Sequence, residues 1–228
     1  MEKTIKLSLD DARRIYKTAD ESFKKVLEIN FGKSLFSRPL GVWCLTKDKR
    51  AVKATEWNDS YTPLAVGVVT DDTAFMVHLE PQAAVPFGST DVKEYDDIVY
   101  DTETFDNCAA TSAIFLAHNG VKGDMWNDAK YPFEGSPATA YCAKCGGDLP
   151  TLATAKVIAK HLKDINKAML TMGGFVVCGW LWTSTIKKSN NTAFVVNTNN
   201  GLVFIDYRHI NGYNARAVSA FHFEDFEF

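Results

Sequence analysis

The 228-residue chain has no apolar run approaching the roughly 18 residues that a bilayer crossing needs. Its opening stretch, MEKTIKLSLDDARR, carries charges throughout, where a signal peptide would need an apolar core. Membrane insertion is therefore not expected, and synthesis in the cytoplasm without a signal peptide is. An excess of one charge sign is also missing, since 25 basic residues face 28 acidic ones for a net charge of -3. That leaves no broad positive field for nucleic acid. Cysteine is sparse, and the odd set Cys44, Cys108, Cys142, Cys145 and Cys178 lacks the dense spacing of a disulfide framework, so reduced thiols are expected. Cys142-Ala-Lys-Cys145 is half of a zinc-site spacing with no second half, which argues for a buried structural thiol at Cys142 and against a metal. There is no HExxH, no Gly-x-Ser-x-Gly elbow and no phosphate-cradling glycine loop, and His78, His118, His161, His209 and His222 are scattered. The expectation is a non-enzymatic protein with no metal and no cofactor.

What the chain does have is aromatic residues, at 12%, which serve both packed β-cores and recognition surfaces. Residues 1–40 read as a helical module. Leu9, Ala12, Ile15 and Tyr16 recur at helical spacing, and Thr18-Ala19-Asp20-Glu21 reads as a capping box before a second helix striped by Phe23, Val26, Leu27 and Phe31. Such a stripe is a packing face or, on the second reading, a surface for self-association or for docking onto a partner. Residues 41–228 read as the second domain. GVWCLT is a strand, and LAVGVVTDDTAFMVHLE is a hairpin around Thr70-Asp71-Asp72-Thr73. Asp106-Asn107 opens a helix running to His118, and Ser136-Pro137 opens another that stops at Gly146-Gly147. Residues 148–174 predict two short helices broken near Lys163 and ended by Gly173-Gly174. GWLWTST, TAFVVNT, LVFIDY and ARAVSAF then read as strands, the middle two joined by an Asn199-Asn200-Gly201 turn. The fold class is α+β.

Three blocks in order carry a resemblance: Leu149-Pro150-Thr151, Trp182-Thr183-Ser184-Thr185, and Arg216 with Val218 and Phe221. Together with the Asn-Gly hairpin they resemble the C-type-lectin fold, with short twisted antiparallel sheets and two to four short helices. More narrowly, the chain is similar to the variable proteins of diversity-generating retroelements, including phage tropism determinants, and to the C-terminal domains of collagen-like adhesins. Thr183 and Ser219 depart from the residues usual there. The resemblance implies a binding protein whose last strands and loops present a variable surface, with a protein or glycan on a cell surface as ligand and display through a phage particle or another assembly. A structural or decoration protein of a phage particle or appendage is the alternative. Trp57-Asn58-Asp59, Glu80-Pro81-Gln82 and Trp126-Asn127-Asp128 echo the calcium and sugar motifs of animal C-type lectins, but in the wrong order. The nearest enzymes of that fold use a close cysteine pair near the C-terminus, whereas no cysteine follows Cys178.

Between Ser189 and Asn214 the runs TAFVV and LVFI are expected to hold the sheet. Lys187, Lys188, Asn190, Asn191, Asn197, Asn199, Asn200, Tyr207, Arg208, His209, Asn211, Tyr213 and Asn214 fall at turns, strand ends or loops and form the expected recognition face. Tyr207 and Tyr213 are the expected anchors, with Asn, Arg208 and His209 setting orientation. Seven Asn in this stretch fit either adenine-directed diversification, as the resemblance implies, or the ordinary abundance of Asn in turns. Cys178 is expected behind the Trp180 and Trp182 strand, and His161 at a helix end.

Overall fold

The short β-branched runs form strands and the alanine- and leucine-spaced blocks form helices, giving a mixed α+β protein whose described residues form two five-stranded sheets. The computed structural model describes residues 12, 15–16, 18–31, 38–88, 136–187, 192–207 and 212–228. The helix expected from Asp106 to His118, the Trp126-Asn127-Asp128 motif, Leu9 and Cys108 lie outside them.

Helix α1 spans Glu21–Phe31. Its N-cap is Asp20, whose carboxylate accepts the Phe23 N–H at 2.9 Å, while the Thr18 hydroxyl turns back to the Ile15 carbonyl and so takes no part in the expected box. Of the expected stripe, Leu27 is buried but Phe23 and Val26 are exposed.

Strands β1 (Gly41–Thr46), β2 (Ala51–Val52), β3 (Pro63–Val69) and β4 (Ala74–His78) follow, then β5 (Ala83–Val85). The β3 to β4 hairpin closes as expected, with the Thr70 hydroxyl accepting the N–H groups of Asp72 and Thr73. Ser136 caps α2 (Pro137–Lys144) by accepting the Thr139 N–H, and Thr151 caps α3 (Leu152–Lys160) in the same way from Thr154. The break before α4 (Leu162–Thr171) falls at His161, whose side chain caps nothing at the start of α4. The C-terminal strands are β6 (Trp180–Lys187), β7 (Thr192–Asn197), β8 (Val203–Tyr207), β9 (Tyr213–Ala215) and β10 (Val218–Ala220).

The first sheet runs β10-β4-β3-β1-β2 and the second β5-β9-β6-β7-β8, antiparallel throughout except for a parallel bridge between β6 and β9. Helix α4 buries Ile165, Ala168 and Met169 against Cys44, Val66, Val68 and Val77 of the first sheet. Helix α3 sets Leu152 and Ala155 against Val196 of the second. Helix α2 packs Ala138 and Cys142 with Trp182, Val195 and Ala215. The first sheet thus has α4 over one face, and the second has α2 on the face of Trp182 and Val195 and α3 on the face of Val196, as layer packing requires.

The three motif blocks meet inside this frame. The Ser184 N–H donates to the Pro150 carbonyl at 2.8 Å, and the Leu152 N–H to the Thr185 hydroxyl at 3.0 Å. Val218 exchanges backbone hydrogen bonds with Asp148, and Phe221 is buried against Leu45. Arg216 is 1% exposed and donates to the carbonyls of Glu80 and Phe175. Burial pulls its guanidinium down to about 10, with Tyr141 and Glu80 acting the other way, so it stays a cation at neutral pH.

Candidate functional site

The second sheet carries a series of rings running from core to solvent. Register sets Trp182 opposite Val195, Trp180 opposite Asn197 and Phe204 opposite Val195, so these side chains share one face. Trp182 is fully buried, donates its indole N–H to the Val85 carbonyl at 2.8 Å and meets Phe87 edge-on. Tyr213 meets Trp182 edge-on at 4.9 Å, and Trp180 lies 6.2 Å from Tyr213 and 6.3 Å from Phe204. Phe204 is 56% exposed. The outer rings therefore stand on inner ones locked in the core, a rigid base with an accessible tip.

Tyr213 donates its hydroxyl to Asp206 at 2.6 Å. Burial, followed by the Asp206 carboxylate, pushes its phenol up to about 12. The other Asp206 oxygen accepts the Tyr207 N–H at 2.7 Å. At the hairpin turn Asn197 accepts the Asn199 N–H, Asn200 accepts the Leu202 N–H, and Gly201 sits at φ +72°. The turn's asparagines thus fix its shape with their side-chain oxygens.

Of the expected recognition residues, Asn197 and Tyr213 join Trp180 on the ring face, Asn199 and Asn200 are exposed at the turn beside it, and Tyr207 is 52% exposed on the opposite face of β8. Tyr213 is half-buried with its hydroxyl engaged. Asn214 ties β9 to the Cys178 carbonyl at 3.1 Å. Lys187 ends β6. Lys188, Asn190, Asn191, Arg208, His209 and Asn211 lie outside the described residues.

Two expectations are corrected. LVFI does not lie inside: Leu202, Val203 and Phe204 are 60%, 39% and 56% exposed, because β8 is the outermost strand and α3 packs on β6 and β7 further in. Cys178 does not pack behind the tryptophan strand but is exposed, bracketed by Gln82, which donates to its carbonyl and accepts its N–H. Sequence reasoning missed Trp180 and Phe204 as surface rings. The two-residue step from Trp180 to Trp182 was the available sign that both share a face.

Two other places hold the elements of a site. Ser219 and His78 stand 2.6 Å apart through Oγ and Nε2, with Glu80 3.9 Å from the other ring nitrogen, the order of a nucleophile, a base and an orienting acid. Gly147 lies directly over the pair: a Cβ there would come 2.8 Å from His78 Nε2 and 3.1 Å from Ser219 Oγ, which leaves no space for a substrate carbonyl. A cleft of about 290 Å³ between β1, β2 and α4 is lined by Lys53, Asp164 and Lys167, but the Lys53 ammonium already lies 3.2 Å from the Trp43 ring centre. Among the described residues no three His, Cys, Asp or Glu side chains gather to hold a metal, and no helix is long and apolar enough to cross a membrane. Cys44 and Cys142 are buried, and burial pushes the Cys44 thiol up to about 11.

Comparison of the chain with family models, curated proteins and solved structures finds no match.

Proposed function

We propose that this is a non-enzymatic ligand-binding protein on a C-type-lectin-like scaffold, which grips a protein or glycan through the ring face and outer hairpin of the second sheet. The observation that carries the reading is the ring series: Phe204 is exposed at the end of a chain of aromatic contacts that begins with buried Trp182. A surface ring held this way loses little conformational freedom on binding. The motif blocks support the same division, since Pro150, Thr185, Arg216 and Val218 all make their hydrogen bonds inside the scaffold. The covered Ser219 and His78 pair speaks for binding over hydrolysis.

The test is adhesion of labelled full-length protein to whole bacterial cells and to arrayed glycans. Phe204→Ala with Trp180→Ala should retain the native circular dichroism and lose at least about tenfold in apparent affinity, since buried anchors are worth roughly 1–3 kcal/mol each. Adhesion unchanged in the folded double variant removes the ring face as the site. A near-copy of the C-terminal codons beside the gene, differing only at adenines, is the outcome expected of a diversified receptor.

The decoration-protein reading draws on α1, where Phe23, Val26 and Ile29 are 45%, 48% and 83% exposed. An inert ring face together with assembly that is lost in Val26→Asp with Ile29→Asp would favour it.

A further inference from the structure

We infer that β8 is a strand-addition site, whose outer edge takes an extended polypeptide segment of the ligand. This deepens the binding-protein reading and rests on it. Among the described residues the two sheets have four edges. At β2 the outer side is closed by Glu227, whose carbonyl accepts the Ala51 N–H at 2.7 Å, and at β10 it is closed by Asp148, which exchanges hydrogen bonds with Val218. The third edge, β5, is three residues long, and its Val85 carbonyl takes the Trp182 indole. The fourth, β8, is five residues long, VFIDY, and pairs with β7 through five consecutive positions without a register shift.

Natural sheets guard such an edge with lysine, proline, a bulge or an inward charge. Strand β8 has no lysine, proline or bulge. Its one charge, Asp206, is engaged by the Tyr213 hydroxyl and the Tyr207 N–H.

The hydrogen-bonding phase follows from the turn. The Asn197 N–H donates to the Leu202 carbonyl at 2.8 Å, so in an antiparallel ladder the groups of Phe204 and Asp206 face β7, while those of Val203 and Ile205 face outward. Among the described residues, no other strand or backbone bond reaches the outward N–H and C=O of Val203 or Ile205. These two donor and acceptor pairs repeat at about 6.8 Å, twice the rise of a strand residue, a pattern that another β-strand matches in full. Phe204 on one face of β8 and Val203 and Tyr207 on the other provide apolar contacts for alternate side chains of the incoming segment. A second copy of β8 fits less well. Antiparallel self-pairing centred on Ile205 would call on the Tyr207 N–H, which Asp206 already holds.

The probe is a synthetic peptide of the β7 sequence, TAFVVN, whose alternation already matches β8 across the existing ladder. Added to the full-length protein, it should slow hydrogen exchange at the Val203 and Ile205 amides at least about tenfold by NMR, an effect that N-methylation of alternate peptide residues abolishes in one of the two frames. Val203→Pro removes one outward N–H and leaves the β7 ladder intact, and should abolish the response at Ile205. If that variant does not fold, the methylated peptides on the wild-type protein decide alone. No slowing, or equal slowing by peptides methylated in either frame, overturns the inference. So do amides already protected in the protein alone: at monomer mass by sedimentation the edge is covered within the chain, and at dimer mass by a second copy. An unresponsive edge beside Phe204→Ala and Trp180→Ala variants that lose adhesion removes strand addition and leaves the binding reading standing.

Discussion

Gly147 has no side chain, and the fold leaves no space for one. A Cβ would lie 2.6 Å from the Val218 carbonyl oxygen and 2.8 Å from His78 Nε2, the first of which is backbone and cannot swing away. Gly147→Ala should therefore cost about 1–3 kcal/mol by overpacking, read as a lower urea midpoint with unchanged slope. The His78 beneath it has its own signature. Burial pushes its imidazole below the ordinary value of 6.5, with Glu80 acting the other way. The unfolded chain therefore binds the proton at higher pH than the native one. Stability from this group is complete above pH 6.5 and is lost as pH falls from there through the lowered native value. His78→Gln should flatten the stability curve over that window, and an unchanged slope would show that the imidazole is not desolvated. The sequence showed a histidine and a glycine pair at these positions, but not that they touch, because 69 positions separate His78 from Gly147.

At the scale of elements, local chemistry was legible wherever neighbours in the chain decide the outcome. Ser136, Thr151, the Thr70 turn and the Asn199-Asn200-Gly201 turn all act as their residue types imply. Gly201 sits at φ +72°, and a Cβ added there would meet nothing within 4 Å, so Gly201→Ala should cost about 1 kcal/mol from backbone strain alone, measurable by urea unfolding. A loss several times larger would mean that the turn governs the register of β7 and β8. The capping residue of α1 moved from Thr18 to Asp20, because Asp20 is the residue whose oxygen reaches the Phe23 N–H. The error over LVFI has a different source. An apolar strand between two others and the same strand at a sheet edge read alike in one dimension, and only the strand order β5-β9-β6-β7-β8 separates them.

Across the whole molecule the chain passes between the two sheets over two short stretches of the described residues, 79–82 from β4 to β5 and 216–217 from β9 to β10. Residues 213–220 give β9 to the second sheet and β10 to the first, with buried Arg216 between them holding the Glu80 and Phe175 carbonyls. Arg216→Ala removes the buried guanidinium that holds the Glu80 and Phe175 carbonyls, should cost about 1–3 kcal/mol in all, and should lower stability for both sheets together. Tryptophan fluorescence and far-ultraviolet dichroism should then still report one coincident transition; separate midpoints would show that the sheets fold independently. By itself the sequence determined the α+β class, the Ser136 cap, the turns and the run of C-terminal strands, because spacing and backbone preference act over a few residues. Tertiary structure alone decided that Phe204 faces solvent, that Tyr213 is held by Asp206, that Arg216 is interior and that Gly147 covers Ser219. Each of these depends on which strand lies beside which, and that is settled by burying the apolar faces of both sheets at once.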